Sequence, residues 1–139
     1  MSARLRPTLA APLAALVLLA GCGGGGDGKP DPNALLSLGD TQSCLDDEGL
    51  ETSTSPKQLG FIAGNAPAGG LRVNVGGNSA TIAFGNTRAE GRRLEVAFRR
   101  FAGNKKRVKN LLERRNNAVV TWLVEPAANE RKLLSDCLR

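Results

Sequence analysis

The chain has no histidine and no tyrosine among its 139 residues, and only one tryptophan. Without histidine the usual proton shuttle at neutral pH is missing, and with it Ser-His and Cys-His nucleophile pairs and histidine zinc sites. A Ser-Lys dyad or a carboxylate pair would remain, but nothing places Ser43, Ser53 or Ser79 beside a lysine. A bilayer-spanning run is also missing. The apolar stretch from Leu9 to Ala20 is 12 residues and contains Pro12, whereas a crossing helix needs roughly 20. Cysteine is scarce, with three in all.

What is present begins with an export signal. Arg4 and Arg6 precede the apolar stretch, and small residues follow it before a cysteine, the layout of a secretory signal. The tetrapeptide Leu19, Ala20, Gly21, Cys22 resembles a bacterial lipobox. That resemblance implies cleavage after residue 21, with a diacylglycerol on the thiol of Cys22; no cofactor signature follows it, and no cofactor is expected. Two acyl chains, at about 0.8 kcal/mol per buried CH₂, hold a soluble domain stably at a membrane. The alternatives are an ordinary secretory signal with an incidental cysteine, or a transmembrane anchor. The short run and the glycine-rich flank favour the lipoprotein reading, and the expected location is extracytoplasmic, anchored to the bacterial cell membrane. Leu5 separates Arg4 from Arg6, so no twin-arginine signal is present and general secretion of an unfolded chain is expected.

Removing residues 1–21 leaves 118, enough for one domain, and lowers the net charge from +6 to +4. Cys44 and Cys137 remain as an even pair in an oxidising compartment and are expected to form a disulfide. Closing so long a loop is worth at most on the order of 4.5 kcal/mol in the chain-entropy model. Residues 22–39, with Gly23 to Gly26, Gly28, Pro30 and Pro32, read as a tether of roughly 23 Å root-mean-square reach. The single GGGGDG stretch is a linker, since calcium repeats need stacked neighbours. Residues 40–139 are then one domain.

Within it, Asp40 is expected to cap a helix over 41–48 that ends at Gly49. Asp46, Asp47, Glu48 and Glu51 are the only acidic cluster, but they lack metal-loop spacing and suit a short solvated helix, so no metal site is expected. Residues 50–54 suggest a short strand, and Ser55 and Pro56 an N-cap and first position of a helix ending near Gly64. Leu71, Val73 and Val75 alternate with polar residues. Gly76, Gly77 and Asn78 then interrupt, and Ala80, Ile82 and Phe84 alternate again, which predicts a β-hairpin rather than a phosphate loop.

Thr87 and Glu90 form a capping box ahead of Leu94, Ala97, Phe98 and Phe101, spaced for a helix that closes at Gly103. Val108, Leu111 and Leu112 predict another short helix over 105–113. Asn116 and Asn117 turn the chain into a β-rich run, 118–124, whose Trp122 is expected in the core. Pro126 opens a last helix carrying Leu133, Leu134, Cys137 and Leu138 on one face.

The order predicts an α+β fold, a small two-layer sandwich in which helices cover one face of a mixed or antiparallel sheet. Arg72, Asn74, Thr81 and Thr121 would mark its open face. The early Cys44-Leu45 pair, the GGN hairpin, the tryptophan-bearing late strand and the terminal Cys137-Leu138 pair together resemble small exported or lipid-anchored proteins of actinobacteria. The resemblance covers about residues 40–139 and implies a structural type without an activity.

Charge is the remaining functional signal. Residues 88–115 carry 11 basic against three acidic side chains, whereas 22–87 carry three basic against seven acidic. Arg92, Arg93, Arg99, Arg100, Lys105, Lys106, Arg107 and Lys109 are the candidate contacts to an anionic lipid, envelope polymer or protein partner. A solvated helix face, neutralised by pairs such as Glu95 with Arg99 and Lys109 with Glu113, accounts for the same pattern. Export and the absence of a recognition motif argue against nucleic acid. Two functions are therefore carried forward: a lipid-anchored, non-catalytic interaction module, and an extracytoplasmic small-ligand carrier or enzyme. A flat basic surface favours the first. A pocket of convergent polar groups with shifted pKa values favours the second.

Overall fold

The computed structural model describes residue 31, residues 33–102 and residues 110–139. Cys22, the segment 1–21 and Lys105, Lys106, Arg107 and Lys109 lie outside the described residues.

Helix α1 spans Leu38–Asp47 and starts a turn earlier than expected. Ser37 takes the N-cap, its hydroxyl accepting from the Asp40 amide at 3.4 Å, and Asp40 sits in the first turn, where a carboxylate suits the helix dipole. At its other end Gly49 adopts φ 74°, while the Gly49 and Leu50 amides donate to the carbonyls of Asp46 and Leu45. That is a Schellman stop, and a Cβ at this φ would be strained. Strand β1 is only Thr52–Ser53. Helix α2, Pro56–Gly64, begins at the expected proline but breaks its regularity at Gly60, φ 72°.

Strands β2 (Gly70–Val75) and β3 (Asn78–Phe84) form the expected hairpin, pairing Val75 with Asn78 across Gly76-Gly77, and Gly76 supplies the positive φ. Helix α3, Arg88–Phe101, then crosses to strands β4 (Leu112–Arg115) and β5 (Ala118–Trp122). Leu112 and Glu113, expected in a helix, are therefore in a strand. The reason is tertiary: β5 is apolar on both faces, and β4 supplies the backbone partners for its free edge. Helix α4, Ala128–Cys137, closes the chain.

The five strands form one antiparallel sheet in the order β1-β2-β3-β5-β4. The α+β class, the hairpin and the antiparallel sheet agree with the expectation. On one face Leu71, Val73, Val75, Ile82, Phe84, Val120 and Trp122 form the main core with Leu45 of α1 and Leu134 of α4. The opposite face, read from the sequence as open, carries α2 and α3. Leu59, Ala63, Leu94 and Phe98 pack there on Ala83, Leu112 and Val119. Arg72, Thr81 and Thr121 on that face are half-buried, and Asn74 is exposed. The Arg72 guanidinium donates to the Gln58 carbonyl and the Ser79 hydroxyl.

Cys44 on α1 and Cys137 on α4 are joined, with Cα atoms 5.5 Å apart. The domain also begins earlier than Asp40. Leu36 is buried in the main core, and the side chain of Asn117, itself 1 % exposed, grips its backbone on both sides. Asn117 Oδ1 accepts from the Leu36 amide at 2.7 Å, while Nδ2 donates to the Leu36 carbonyl at 2.9 Å and the Gly85 carbonyl at 2.6 Å. Asn116 Nδ2 donates to the Ala34 carbonyl, and Arg88 Nη2 to the Asn33 carbonyl at 2.7 Å. Residues 33–37, expected in the tether, are thus a docked strap.

Candidate functional site

Helix α3 forms where the sequence places it because its start is strongly specified. The Thr87 hydroxyl accepts from the Glu90 amide, and the Glu90 carboxylate reaches back one residue further than a standard capping box, to the Asn86 amide at 2.6 Å. Gly91 allows the helix to seat on the β4-β5 turn, since a Cβ there would stand 2.8 Å from the Asn117 Cα. Leu94 is buried and Phe98 half-buried against the sheet. The remaining faces of the helix carry the charge.

Arg92, Arg93, Arg99 and Arg100 are all exposed, but the structure separates their roles. Arg99 turns along the helix and meets Glu95 at 2.8 Å, and Arg114 of β4 meets the other Glu95 oxygen at the same distance. These partners, Arg99 foremost, hold the Glu95 carboxyl below its ordinary pKa against a partial desolvation that pushes the other way. Arg92, Arg93 and Arg100 make no ion pair among the described residues. With Ala89, Val96 and Phe101 they line one shallow depression along the outer side of α3. Val96 is 49 % exposed and Phe101 76 % exposed, so two apolar side chains stand in water between arginines. Helical spacing groups Phe101 with Leu94 and Phe98 on the inner face, yet it stands in water. It is the last helical residue and overhangs the layer beneath it.

Other candidates resolve into structure. Glu113 pairs with Arg131 of α4 at 3.4 Å and takes a long contact, also 3.4 Å, from the buried Trp122 indole. Asp46 accepts from Thr52, and Glu51 from Asn74, so two of the clustered acids brace β1 and β2. No group of three metal-ligating side chains occurs among the described residues. Asp136 is held below its ordinary pKa by Lys132 and Arg139, a surface cluster at the end of α4.

One cavity of about 270 Å³ lies between the end of α3 and the β4-β5 pair. Phe98, Phe101, Leu111, Leu112 and Thr121 are among its walls. It is apolar, it is slightly smaller than the roughly 300 Å³ at which ligand pockets usually begin, and neither Glu95 nor Asp136 lines it. No helix among the described residues is long and apolar enough to cross a membrane. No protein-family model, curated protein or solved structure matches the chain.

Proposed function

We propose that the chain is a lipid-anchored, extracytoplasmic interaction module of a bacterial envelope, non-catalytic, which holds an anionic envelope component on the outer side of α3. The observation that carries this reading is the exposed row Arg92, Arg93, Val96, Arg100 and Phe101, three arginines without an ionic partner among the described residues around two apolar side chains. Arginine forks match phosphate and carboxylate oxygens in pairs, and neighbouring apolar groups add contact area without competing for the charge. Support for the anchor comes from the Leu19 to Cys22 motif and the glycine-rich stretch after it.

The test uses the mature chain, Cys22 to Arg139, titrated with polyphosphate at low and moderate salt. At about 1 kcal/mol for each arginine facing an anionic surface, reversing Arg92, Arg93 and Arg100 to Glu lowers affinity on the order of 100-fold. The parent's binding weakens as salt rises, since the contact is exposed. Unchanged affinity in the triple variant refutes the reading. The anchor is tested separately by the intact mass of the protein recovered from its native membrane fraction, where a diacylated or triacylated Cys22 is expected. The carrier alternative rests on the apolar cavity. It gains ground if an apolar dye binds the chain and a Leu112→Trp substitution, which fills the cavity, abolishes that binding while polyphosphate binding persists.

A further inference from the structure

The strap at residues 33–37 gives the domain a near end and a far end. Arg88, Asn116 and Asn117 hold the strap where α3 begins and where β4 turns into β5. One depression at this end brings Ala34 and Leu36 together with Arg115, Asn116 and Arg139. Asp31 shares that depression, so the tether leaves the domain here. From this end β5 runs away toward Trp122, and α3 runs the same way, because Phe98 and Phe101 share the cavity wall with Thr121 and Trp122. Thirteen residue steps at 1.5 Å place Phe101 about 20 Å from Arg88. The 63 %-exposed Leu123 and 52 %-exposed Val124 also stand at the far end, beside the β2-β3 turn, where Asn78 binds the Val124 carbonyl.

The glycine- and proline-rich stretch ahead of the strap is short. Nine steps separate Cys22 from Asp31, a root-mean-square reach of roughly 15–18 Å, while a domain of this length has a radius of gyration of about 13 Å and a diameter of roughly 30–35 Å. An anchored domain therefore meets its membrane with the strap end, and its far end stands clear. The near end presents Leu35, 50 % exposed, on the strap that Arg88 binds through Asn33, with Arg115 and Arg139 lining the same depression as Asp31.

We infer that the strap orients the domain so that Leu35, Arg88 and Arg115 rest on the anchoring bilayer, while Val96, Arg100 and Phe101 are displayed outward to a phosphate-bearing polymer beyond it. This deepens the function proposed above and rests on its reading of Cys22 as the anchor. The row on α3 is linear and arginine-based, which fits a linear polyanion better than the flat surface of the membrane behind it. With Cys44 and Cys137 joined, Cys22 is the thiol left for coupling when the chain from Cys22 to Arg139 is made without its lipid.

The experiment couples the mature chain through Cys22 to maleimide lipid in vesicles of phosphatidylcholine with phosphatidylglycerol, and maps exposure by hydroxyl-radical footprinting. Leu35 loses labelling on coupling, while Val96, Phe101 and Leu123 keep theirs. Added polyphosphate then removes labelling from Val96 and Phe101. Loss of labelling at Phe101 on coupling alone, or an unprotected Leu35, overturns the orientation. Asn117→Ala removes the three buried bonds to Leu36 and Gly85 that hold the strap while leaving Arg88 and Arg115 in place, and in that variant, its fold checked by Trp122 fluorescence, protection spreads from Leu35 to Phe101. An unchanged footprint in the variant overturns the strap's role. The uncoupled chain with polyphosphate is the separating control: no protection of Phe101 there sinks the polyanion reading of α3, whereas the Leu35 result still judges the orientation.

Discussion

Asn117→Ala is the substitution that most sharply tests how the N-terminal strap is held. The asparagine is buried and makes three hydrogen bonds, two to Leu36 and one to Gly85. At about 1 kcal/mol net for each bond, their loss costs about 3 kcal/mol, and more if the three backbone groups stay dry and unpaired. Release of the strap limits that excess. The expected loss is therefore about 3 kcal/mol. Trp122 is the only tryptophan and is buried, so its fluorescence reports urea unfolding directly. With a urea slope of about 2 kcal/mol/M the midpoint falls by about 1.5 M. Asn116→Gly is the control: it relieves the φ of 53° while deleting only exposed bonds, and its expected change is within about 1 kcal/mol. An Asn117→Ala midpoint within about 0.3 M of the parent would refute the argument that this side chain fixes the strap.

Three further outcomes follow from the same structure. Replacing Cys44 and Cys137 with serine together removes a bridge across 93 positions and costs up to about 4.5 kcal/mol, read as a fall in calorimetric melting temperature; a loss below about 1 kcal/mol contradicts the loop-entropy argument. Gly91→Ala drives a Cβ to 2.8 Å from the Asn117 Cα and costs about 1–3 kcal/mol, whereas Gly77→Ala, with open space around it, changes denaturant stability by less than about 0.5 kcal/mol. Glu95 has a lowered folded pKa, so its stabilising pairs are fully present above the ordinary carboxylate value of about 4.3 and fade as pH drops through the lowered value. Glu95→Gln should therefore cost no more than about 1 kcal/mol per exposed pair at pH 7 and flatten the stability profile below pH 5; an equally steep acid limb in the variant contradicts the assignment.

Local periodicity made parts of the fold readable from the sequence. Strict alternation on either side of Gly76-Gly77 gave the hairpin, whereas its register, with Asn78 paired to Val75, came from the structure. Leu94 and Phe98, behind the Thr87 cap, gave α3 and its inner face. The parity of the cysteines gave the bridge between Cys44 and Cys137. What stayed hidden depended on distant partners. Leu112 to Arg115 has one buried apolar residue and helical neighbours, and it is a strand only because β5 lacked a partner on that side. Each amphipathic helix announced an apolar stripe, but nothing in a stripe says which face of a sheet it will cover, so α2 and α3 were assigned to the wrong side. Leu36 sits in a short run, Ala34 to Leu38, that directly follows a glycine- and proline-rich stretch, and the side chain that fixes it is more than 80 positions away. At the candidate site, spacing identified the exposed arginines of α3. It could not reveal that Glu95 occupies Arg99 and Arg114 and leaves Arg92, Arg93 and Arg100 to make a surface.

The bridge between α1 and α4 also bears on when the molecule becomes finished. A polypeptide is made, and threaded through any channel, from one end to the other, so Leu45 and Cys44 arrive early and wait. Their partners Leu134, Cys137 and Leu138 follow only after the whole sheet, Cys137 coming 93 positions behind Cys44. Until they arrive, the main core lacks one wall and the thiol of Cys44 has no mate. A chain cut short by a single turn of α4 would lose the apolar lid and the covalent lock together. A copy ended before Leu134 should therefore remain open to proteases.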